Sequence, residues 1–213
     1  MKTDDLIALL ATQAPPVQRG ARRWTIAAML AVGALTSLVV MMTWLRINPS
    51  LLQFSGSPWF WVRFCFIVSV TVLAWGLFVR LGKPGVAARV SMWWLALPVA
   101  VMALLGAALL LQAPEEARLA MILGVSWNVC ARNIAILAIP IFAISIWVAR
   151  EFAPTRLRVT GAMLGFFSGA LSALIYSLHC PELAPSFLMI WYVLGIAIPG
   201  VVGALLGRRL LGW

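Results

Sequence analysis

The stretch VTGAMLGFFSGALSALIYSL, residues 159–178, is twenty residues long and contains no charged side chain. An α-helix rises about 1.5 Å per residue, so this stretch can cross the roughly 30 Å hydrocarbon core of a bilayer. Small residues recur at every fourth position in it, namely Gly161, Gly165, Gly169, Ala173 and Ser177. Because such a stripe lets another helix approach closely in lipid, it predicts a membrane helix packed tightly against a neighbour.

Five more apolar windows of similar length surround this stretch, and the full set is 24–45, 59–79, 90–111, 133–149, 159–178 and 186–206. The chain is 63% apolar and has only 16 basic and 6 acidic residues among 213, which leaves too little polar surface for a soluble domain. We therefore predict an all-α membrane protein in which residues 24–213 form one bundle of six transmembrane helices. In the fourth window the apolar pattern already begins near Leu119. The glycine spacing recurs in the sixth window at Gly203 and Gly207.

The basic residues are divided unevenly between the two sides of the predicted bundle. If the N-terminus is cytoplasmic, that side carries Lys2, Arg19, Arg22, Arg23, Arg80, Lys83, Arg89, Arg150, Arg156, Arg158, Arg208 and Arg209, and the other side carries Arg46, Arg63, Arg118 and Arg132. An excess of Lys and Arg in cytoplasmic loops is the rule for membrane helices. The distribution predicts that both termini are cytoplasmic, and the net charge of +10 is explained by anchoring to lipid headgroups.

The predicted spans carry few groups that could perform chemistry. They contain no Asp or Glu, and their single charged residue, Arg63, is near enough to one end for its side chain to extend outward to the interface. Pumps and ion pathways normally need ionisable groups at depth. The sequence also lacks HExxH and CxxC motifs and a glycine-rich phosphate loop. We therefore do not expect an enzyme.

Residues 1–23 form a short head, the part of the chain predicted to act in the cytoplasm. Thr3 is a good helix N-cap, and Asp4 and Asp5 suit the positive end of the helix dipole. Leu6, Ile7, Leu9 and Leu10 then give an apolar face. This amphipathic segment is compatible with a helix lying on the membrane surface, with a frayed tail, or with a helix that docks in a groove of a partner protein.

The three cysteines all fall toward the non-cytoplasmic side. Cys65 lies within the second window and is expected to be a small buried hydrophobe. Cys130 precedes the fourth window, and Cys180 lies in YSLHCPELAP, where Pro181 and Pro185 end one helix and begin the next. Both cysteines are about 30 Å along their helices from a short inner connection, so the two thiols should reach the same outer surface.

Three roles remain open for Cys130 and Cys180. They could form a constitutive disulfide or stay as two unpaired thiols, or they could be a reversible thiol pair that senses oxidants or soft metals. Together with His179, the only histidine, they could also bind a zinc or heavy-metal ion. Arg132 and His179 are close enough in sequence to lower the pKa of the thiols.

Several motifs together resemble one family over nearly the whole chain. These are the head MKTDDLI, SWNVC before the fourth helix, APTR in the following inner loop, LHCPE after the fifth helix and WYVLG in the sixth. In this combination they resemble the NrsF-like family of bacterial membrane anti-sigma factors. The resemblance implies a negative regulator of an extracytoplasmic-function (ECF) sigma factor in the bacterial inner membrane.

The resemblance also implies roles for particular residues. Thr3, Asp4, Asp5, Leu6 and Ile7 match the head motif, which together with Leu9 and Leu10 would bind the sigma factor. Cys130 and Cys180 match the periplasmic cysteine pair linked to the stress response, whereas Cys65 matches no family position. The expected partners are thus an ECF-type sigma factor and the lipid bilayer, with no direct binding of nucleic acid.

The function predicted from the sequence is sequestration of a sigma factor by the head and its release on oxidative or heavy-metal stress sensed at Cys130 and Cys180. No cofactor is expected except a transient soft metal ion at the cysteine pair. The alternatives are a membrane thiol–disulfide oxidoreductase or heavy-metal-binding protein that uses the same cysteines, and a structural subunit that assembles through its glycine stripe.

Overall fold

Every regular element among the described residues is helical. The structure is a computed structural model that describes Thr3 and residues 19–81, 89–150, 154 and 156–212. Its helices are α1 (Arg19–Val40), α2 (Leu51–Ser55), α3 (Pro58–Leu81), α4 (Arg89–Gln112), α5 (Glu115–Leu123), α6 (Trp127–Arg150), α7 (Leu157–Tyr176) and α8 (Pro185–Leu211). Within these ranges six helical segments are long and apolar enough to cross a membrane, which confirms the predicted all-α fold with six long apolar helices.

The fourth apolar segment differs from its predicted bounds. It covers Glu115–Arg150 rather than 133–149, and it is divided into α5 and α6. The break is at Gly124, whose φ of 56° is a backbone conformation that favours glycine. As a result Cys130 lies in the first turn of α6 and not in a loop before the helix.

The centre of the bundle is α7, which packs against α3, α6 and α8. Its contact with α8 is closest where the predicted glycine stripe lies. A Cβ atom added at Gly161 would meet the carbonyl oxygen of Gly203, and one added at Gly165 would meet that of Pro199. Larger side chains could not occupy these positions without separating the helices, so the stripe acts as the predicted surface for close helix packing.

The helix that leads from the head, α1, packs mainly against α6. Ser37 Oγ donates a hydrogen bond to the carbonyl oxygen of Leu137 at 2.8 Å, and both groups are buried. Near the other end of the contact, a Cβ atom at Gly33 would lie 3.3 Å from Ile141 Cα. The helix that carries Cys130 is therefore in direct contact with the helix that follows the head.

Two helices contain a π-helical turn that the apolar pattern did not reveal. The first, Met41–Leu45, continues α1, and the second, Leu188–Tyr192, lies in the first part of α8. π-helical turns are frequent at functional sites because the extra residue redirects the side chains around it. The turn in α8 carries the buried Tyr192 toward the cysteine pair.

Candidate functional site

Two buried thiols form the centre of the candidate site. Cys130, on α6, has no exposed surface, and Cys180, in the segment that joins α7 to α8, is 1% exposed. Both are free thiols, and their side chains are in hydrogen-bond contact with each other. The two cysteines meet at the end of the bundle to which the helix lengths assigned them. Their role as a sensor stays a prediction.

The position of Cys180 follows from the way α7 ends. The backbone N–H of His179 donates to the Tyr176 carbonyl at 2.9 Å, and that of Cys180 donates to the same oxygen at 3.1 Å. Pro181 then prevents the helix from continuing, and α8 begins with Pro185 at its first position. The turn thus directs the Cys180 side chain inward, beneath α6.

Hydrogen-bond donors surround the sulfur of Cys180. The Cys130 thiol is the strongest of them, the backbone N–H of Glu182 and the Ser126 hydroxyl follow, and the buried Tyr192 hydroxyl is close enough to favour the anion as well. The Ser126 oxygen is 3.7 Å from Cys180 Sγ. Since these donors stabilise the anion, they lower the pKa of Cys180 from its ordinary 9.0 to about 6, although burial acts in the opposite direction.

Arg63 is the charged residue that holds this turn, and its predicted outward extension is wrong. The side chain is 1% exposed, and Nη1 donates to the carbonyl oxygens of Cys180 at 2.8 Å and of Glu182 at 3.1 Å. Its guanidinium carbon lies 5.3 Å from the centre of the Phe60 ring, at cation–π distance. The guanidinium reaches inward because the carbonyls of the cysteine turn accept hydrogen bonds from its Nη1 there.

The carboxylate of Glu182 connects the cysteine turn to the break between α5 and α6. Its Oε1 accepts a hydrogen bond from the backbone N–H of Val125 at 2.6 Å. Nearby, Ser186 Oγ donates to the Met121 carbonyl at 2.8 Å, which joins the start of α8 to α5. The loop that holds Cys180 and the corner that precedes Cys130 are therefore fixed to each other.

The proposed metal ligand set of Cys130, Cys180 and His179 is not formed. Within the described part of the chain, no three metal-ligating side chains converge. The imidazole Nδ1 of His179 is instead 2.9 Å from the carbonyl oxygen of Arg46, a residue whose φ of 65° is unusual outside glycine. This hydrogen bond ties the end of the first helical span to the cysteine turn.

Two further side chains that the sequence singled out near the cysteines are exposed. Arg132 is exposed and lines an apolar cavity of about 630 Å³ between α6 and α8, so the arginine at the cysteine turn is Arg63. Cys65 is exposed on α3 and is not a buried hydrophobe. For a residue on an apolar helix, exposure in the bundle is compatible with contact to lipid.

The residues predicted to bind a sigma factor fall almost entirely outside the described part of the chain. Asp4, Asp5, Leu6, Ile7, Leu9 and Leu10 are outside it, and Thr3 is helical and exposed. The role of this set stays a prediction.

Sequence reasoning missed most of the residues around the thiols. Arg63, Tyr176, Tyr192 and Glu182 surround or hold the pair. One signal was available, because Arg63 is the only charged residue in the six predicted windows. An ionisable residue inside an apolar span is a functional candidate by default.

The fold and site define a class, an apolar six-span helical bundle with a buried, hydrogen-bonded pair of thiols at one end. The chain belongs to the NrsF family, described as negative regulator of sigma F, which it matches over residues 10–213. It is 35% identical over 213 residues to the probable anti-sigma-F factor NrsF of Azospira oryzae. It is 34% identical over 214 residues to the anti-sigma-F factor NrsF of Caulobacter vibrioides. Both alignments cover the whole of each chain, and no solved structure gives a significant match.

Proposed function

We propose that this protein is an inner-membrane anti-sigma factor that holds an ECF-type sigma factor through residues 1–23 and releases it when Cys130 and Cys180 are oxidised. The family and its two full-length relatives support a regulator of a sigma factor. The six apolar helical segments support a membrane location. In the resting state the apolar residues of the head, Leu6, Ile7, Leu9 and Leu10, occupy a groove of the sigma factor that polymerase would otherwise use.

The chemical step is the formation of a disulfide between two adjacent thiols. The Cys130 and Cys180 sulfurs lose two electrons and two protons to a peroxide, which is reduced to two waters if it is hydrogen peroxide or to an alcohol and a water if it is an organic hydroperoxide. The sulfurs must approach from hydrogen-bond contact to a bond length of about 2.05 Å. This closure displaces α6 relative to the turn that follows α7.

The observation that carries the proposal is that the helix with Cys130 packs against the helix that continues from the head. Cys130 lies on α6, and α6 packs along α1, the helix that follows the head. The buried hydrogen bond from Ser37 to Leu137 lies within that contact. A displacement of α6 at the cysteine end therefore acts on α1, which changes the position of the head and releases the sigma factor.

Capture of soluble partners from solubilised membranes tests the proposed sequestration. Tagged full-length protein should retain a sigma factor, whereas a chain lacking residues 1–20 should not. A full-length double variant, Leu6→Ser with Leu10→Ser, should lose the partner as well because its head has lost part of the apolar face. Trp93 is exposed on α4 and lies outside residues 1–23, so Trp93→Phe is a matched control that should retain the partner. Failure of the full-length chain to retain any sigma factor would contradict the proposal.

A membrane thiol–disulfide oxidoreductase is the second candidate, because a low-pKa thiolate beside a partner thiol is also the arrangement of an exchange site. An oxidoreductase would oxidise its substrate thiols in repeated catalytic cycles. Purified protein with an excess of a reduced dithiol peptide and an oxidant would oxidise many peptides per chain, whereas a sensor would complete about one two-electron reaction per thiol pair.

A further inference from the structure

We propose that Arg63 is a positioning residue that holds Cys180 as the reactive thiolate of the pair, while Cys130 keeps its proton. The inference deepens the proposed function, since it assigns separate chemical roles to two cysteines that a thiol sensor would otherwise use interchangeably. It concerns thiol chemistry alone, and its test does not require a sigma factor.

The Arg63 side chain holds the backbone of the cysteine turn through two hydrogen bonds, and we call this arrangement the clamp. One nitrogen, Nη1, bonds the carbonyl oxygens of residues 180 and 182, two residues apart in the turn. The backbone N–H of Glu182 lies in the same turn and forms a hydrogen bond that favours the anion at Cys180 Sγ. The clamp thus directs a fixed backbone donor at the sulfur, which is the arrangement that stabilises a thiolate.

In the part of the chain that the structure describes, the charge of Arg63 meets backbone carbonyls and is not paired with a carboxylate. Among the described residues Arg63 makes no ion pair, and its Nη2 is buried without a hydrogen-bond partner. The Glu182 carboxylate is committed to the N–H of Val125. A buried guanidinium is costly unless negative charge or dipoles compensate it. The carbonyl dipoles of the turn and a thiolate at Cys180 are the groups available for that purpose.

The two thiols have different surroundings. The sulfur of Cys180 faces the donors of the turn and of Ser126, whereas Cys130 has no exposed surface and, apart from Cys180, has the Tyr176 hydroxyl as its polar neighbour. The titratable or charged groups around Cys180 are Cys130 from α6, Tyr176 from α7, Tyr192 from α8, Arg63 from α3, and His179 and Glu182 from its own segment. A single proton shared by two sulfurs therefore resides on Cys130.

The test is the pH dependence of alkylation at each cysteine. The reduced full-length protein in micelles is treated with iodoacetamide, whose carbon is attacked by the thiolate as iodide leaves, and mass spectrometry quantifies each site. Because Cys180 is 1% exposed, local opening scales its rate at every pH, but only ionisation sets the pH at which the rate is half-maximal. The wild-type midpoint of Cys180 should lie near pH 6, and Cys180 should react before Cys130.

Arg63→Gln should raise the midpoint of Cys180 by about one pH unit or more, since the turn loses its charge and its fixed geometry. Arg63→Lys should restore part of the effect. Tyr192→Phe keeps the ring packing and removes one hydroxyl, so it should raise the midpoint of Cys180 by a smaller amount. This variant tests the environment of the thiolate if Arg63→Gln does not fold. Arg132→Gln is the matched control, because it removes a positive charge from the exposed face of α6 and should leave the midpoint unchanged.

Two outcomes would overturn the inference. In one, Arg63→Gln accelerates alkylation at every pH with an unchanged midpoint, which would mean that Arg63 only keeps the turn closed. In the other, Cys130 is alkylated first in the wild-type protein. If the midpoints shift as expected but oxidation does not release a sigma factor, the proposed function fails and the role of Arg63 stands.

Discussion

Gly124 is fixed in an unusual conformation by the carboxylate beside it. Its φ is 56° and its ψ is −165°, a region that is essentially restricted to glycine. A Cβ atom at this position would be 2.7 Å from both Cδ and Oε1 of Glu182. The same carboxylate binds the N–H of Val125, so the break between α5 and α6 depends on the absence of a side chain at residue 124.

Gly124→Ala should therefore destabilise the protein by about 1–3 kcal/mol, through backbone strain and displacement of the Glu182 carboxylate. Thermal unfolding of the purified chain in micelles measures the effect as a lower Tm. Gly56→Ala is the matched control, because Gly56 has a φ of −75° and a Cβ atom there would be in ordinary contact with the Gln53 oxygen at 3.7 Å. Equal losses of Tm in the two variants would contradict this explanation of the break.

The two buried cysteines should be individually necessary for the response to oxidant. Cys130→Ser and Cys180→Ser each remove one sulfur of the disulfide, so sigma-dependent transcription should stay repressed under peroxide, without the induction of the wild type. The control is Cys65→Ser, since Cys65 is exposed on α3 away from the pair, and its response should be normal. Normal induction in either single variant of the pair would show that the signal is sensed elsewhere.

At the scale of elements, α7 and α8 form the closest pair in the bundle. Their backbones touch through Gly161, Gly165, Gly203 and Gly207, where added Cβ atoms would meet backbone atoms of the opposite helix. Backbone atoms cannot move aside as the end of a flexible side chain can. The pair should therefore behave as one rigid unit against which α6 moves.

Gly165→Ala should lower stability by about 1–3 kcal/mol, because its methyl group would overlap the Pro199 carbonyl and force the helices apart. Gly76→Ala on α3 is the matched control, since among the described residues no atom beyond the local backbone of α3 lies within 4 Å of a Cβ atom built there, and alanine favours the helix. The measurement is the Tm of each purified variant in the same detergent. The contact is less tight than described if Gly165→Ala unfolds at the wild-type temperature.

The sequence predicted these elements better than it predicted the site. Continuous apolar windows and a four-residue glycine spacing depend on local composition, so both the six spans and the face that joins α7 to α8 followed from them. The inward direction of the Arg63 side chain could not be predicted in this way, because it is set by the carbonyls of Cys180 and Glu182, which are more than a hundred residues away in the sequence. The π-helical turn at Leu188–Tyr192 likewise has no signature in an evenly apolar segment.

At the scale of the whole molecule, the predicted orientation has both termini in the cytoplasm. Single cysteines introduced in a Cys65→Ser background test it with a membrane-impermeant maleimide on intact cells. Ser50→Cys, between α1 and α2, should be labelled from outside, and Lys83→Cys, between the end of α3 and the start of α4 in the sequence, should be labelled only after lysis. The reverse pattern would place the cysteine pair on the cytoplasmic side and contradict the orientation.

The proximity of Cys130 and Cys180 was predictable because it depends only on helix lengths and on a short connection between neighbouring helices. The contact between α1 and α6 was not, since apolar helices offer many equivalent faces and the Ser37–Leu137 hydrogen bond joins residues 100 positions apart. That contact is what links the thiol pair to the head in the proposed mechanism.

The most direct test of that mechanism is sigma-factor binding to proteoliposomes that contain the full-length protein, before and after peroxide treatment. Mass spectrometry should confirm the Cys130–Cys180 disulfide in the treated sample. We predict that the reduced protein co-sediments the sigma factor and that oxidation lowers the bound fraction by about tenfold or more. A variant with Cys130→Ser and Cys180→Ser should bind equally under both conditions. Undiminished binding by wild-type protein that carries the disulfide would contradict the account.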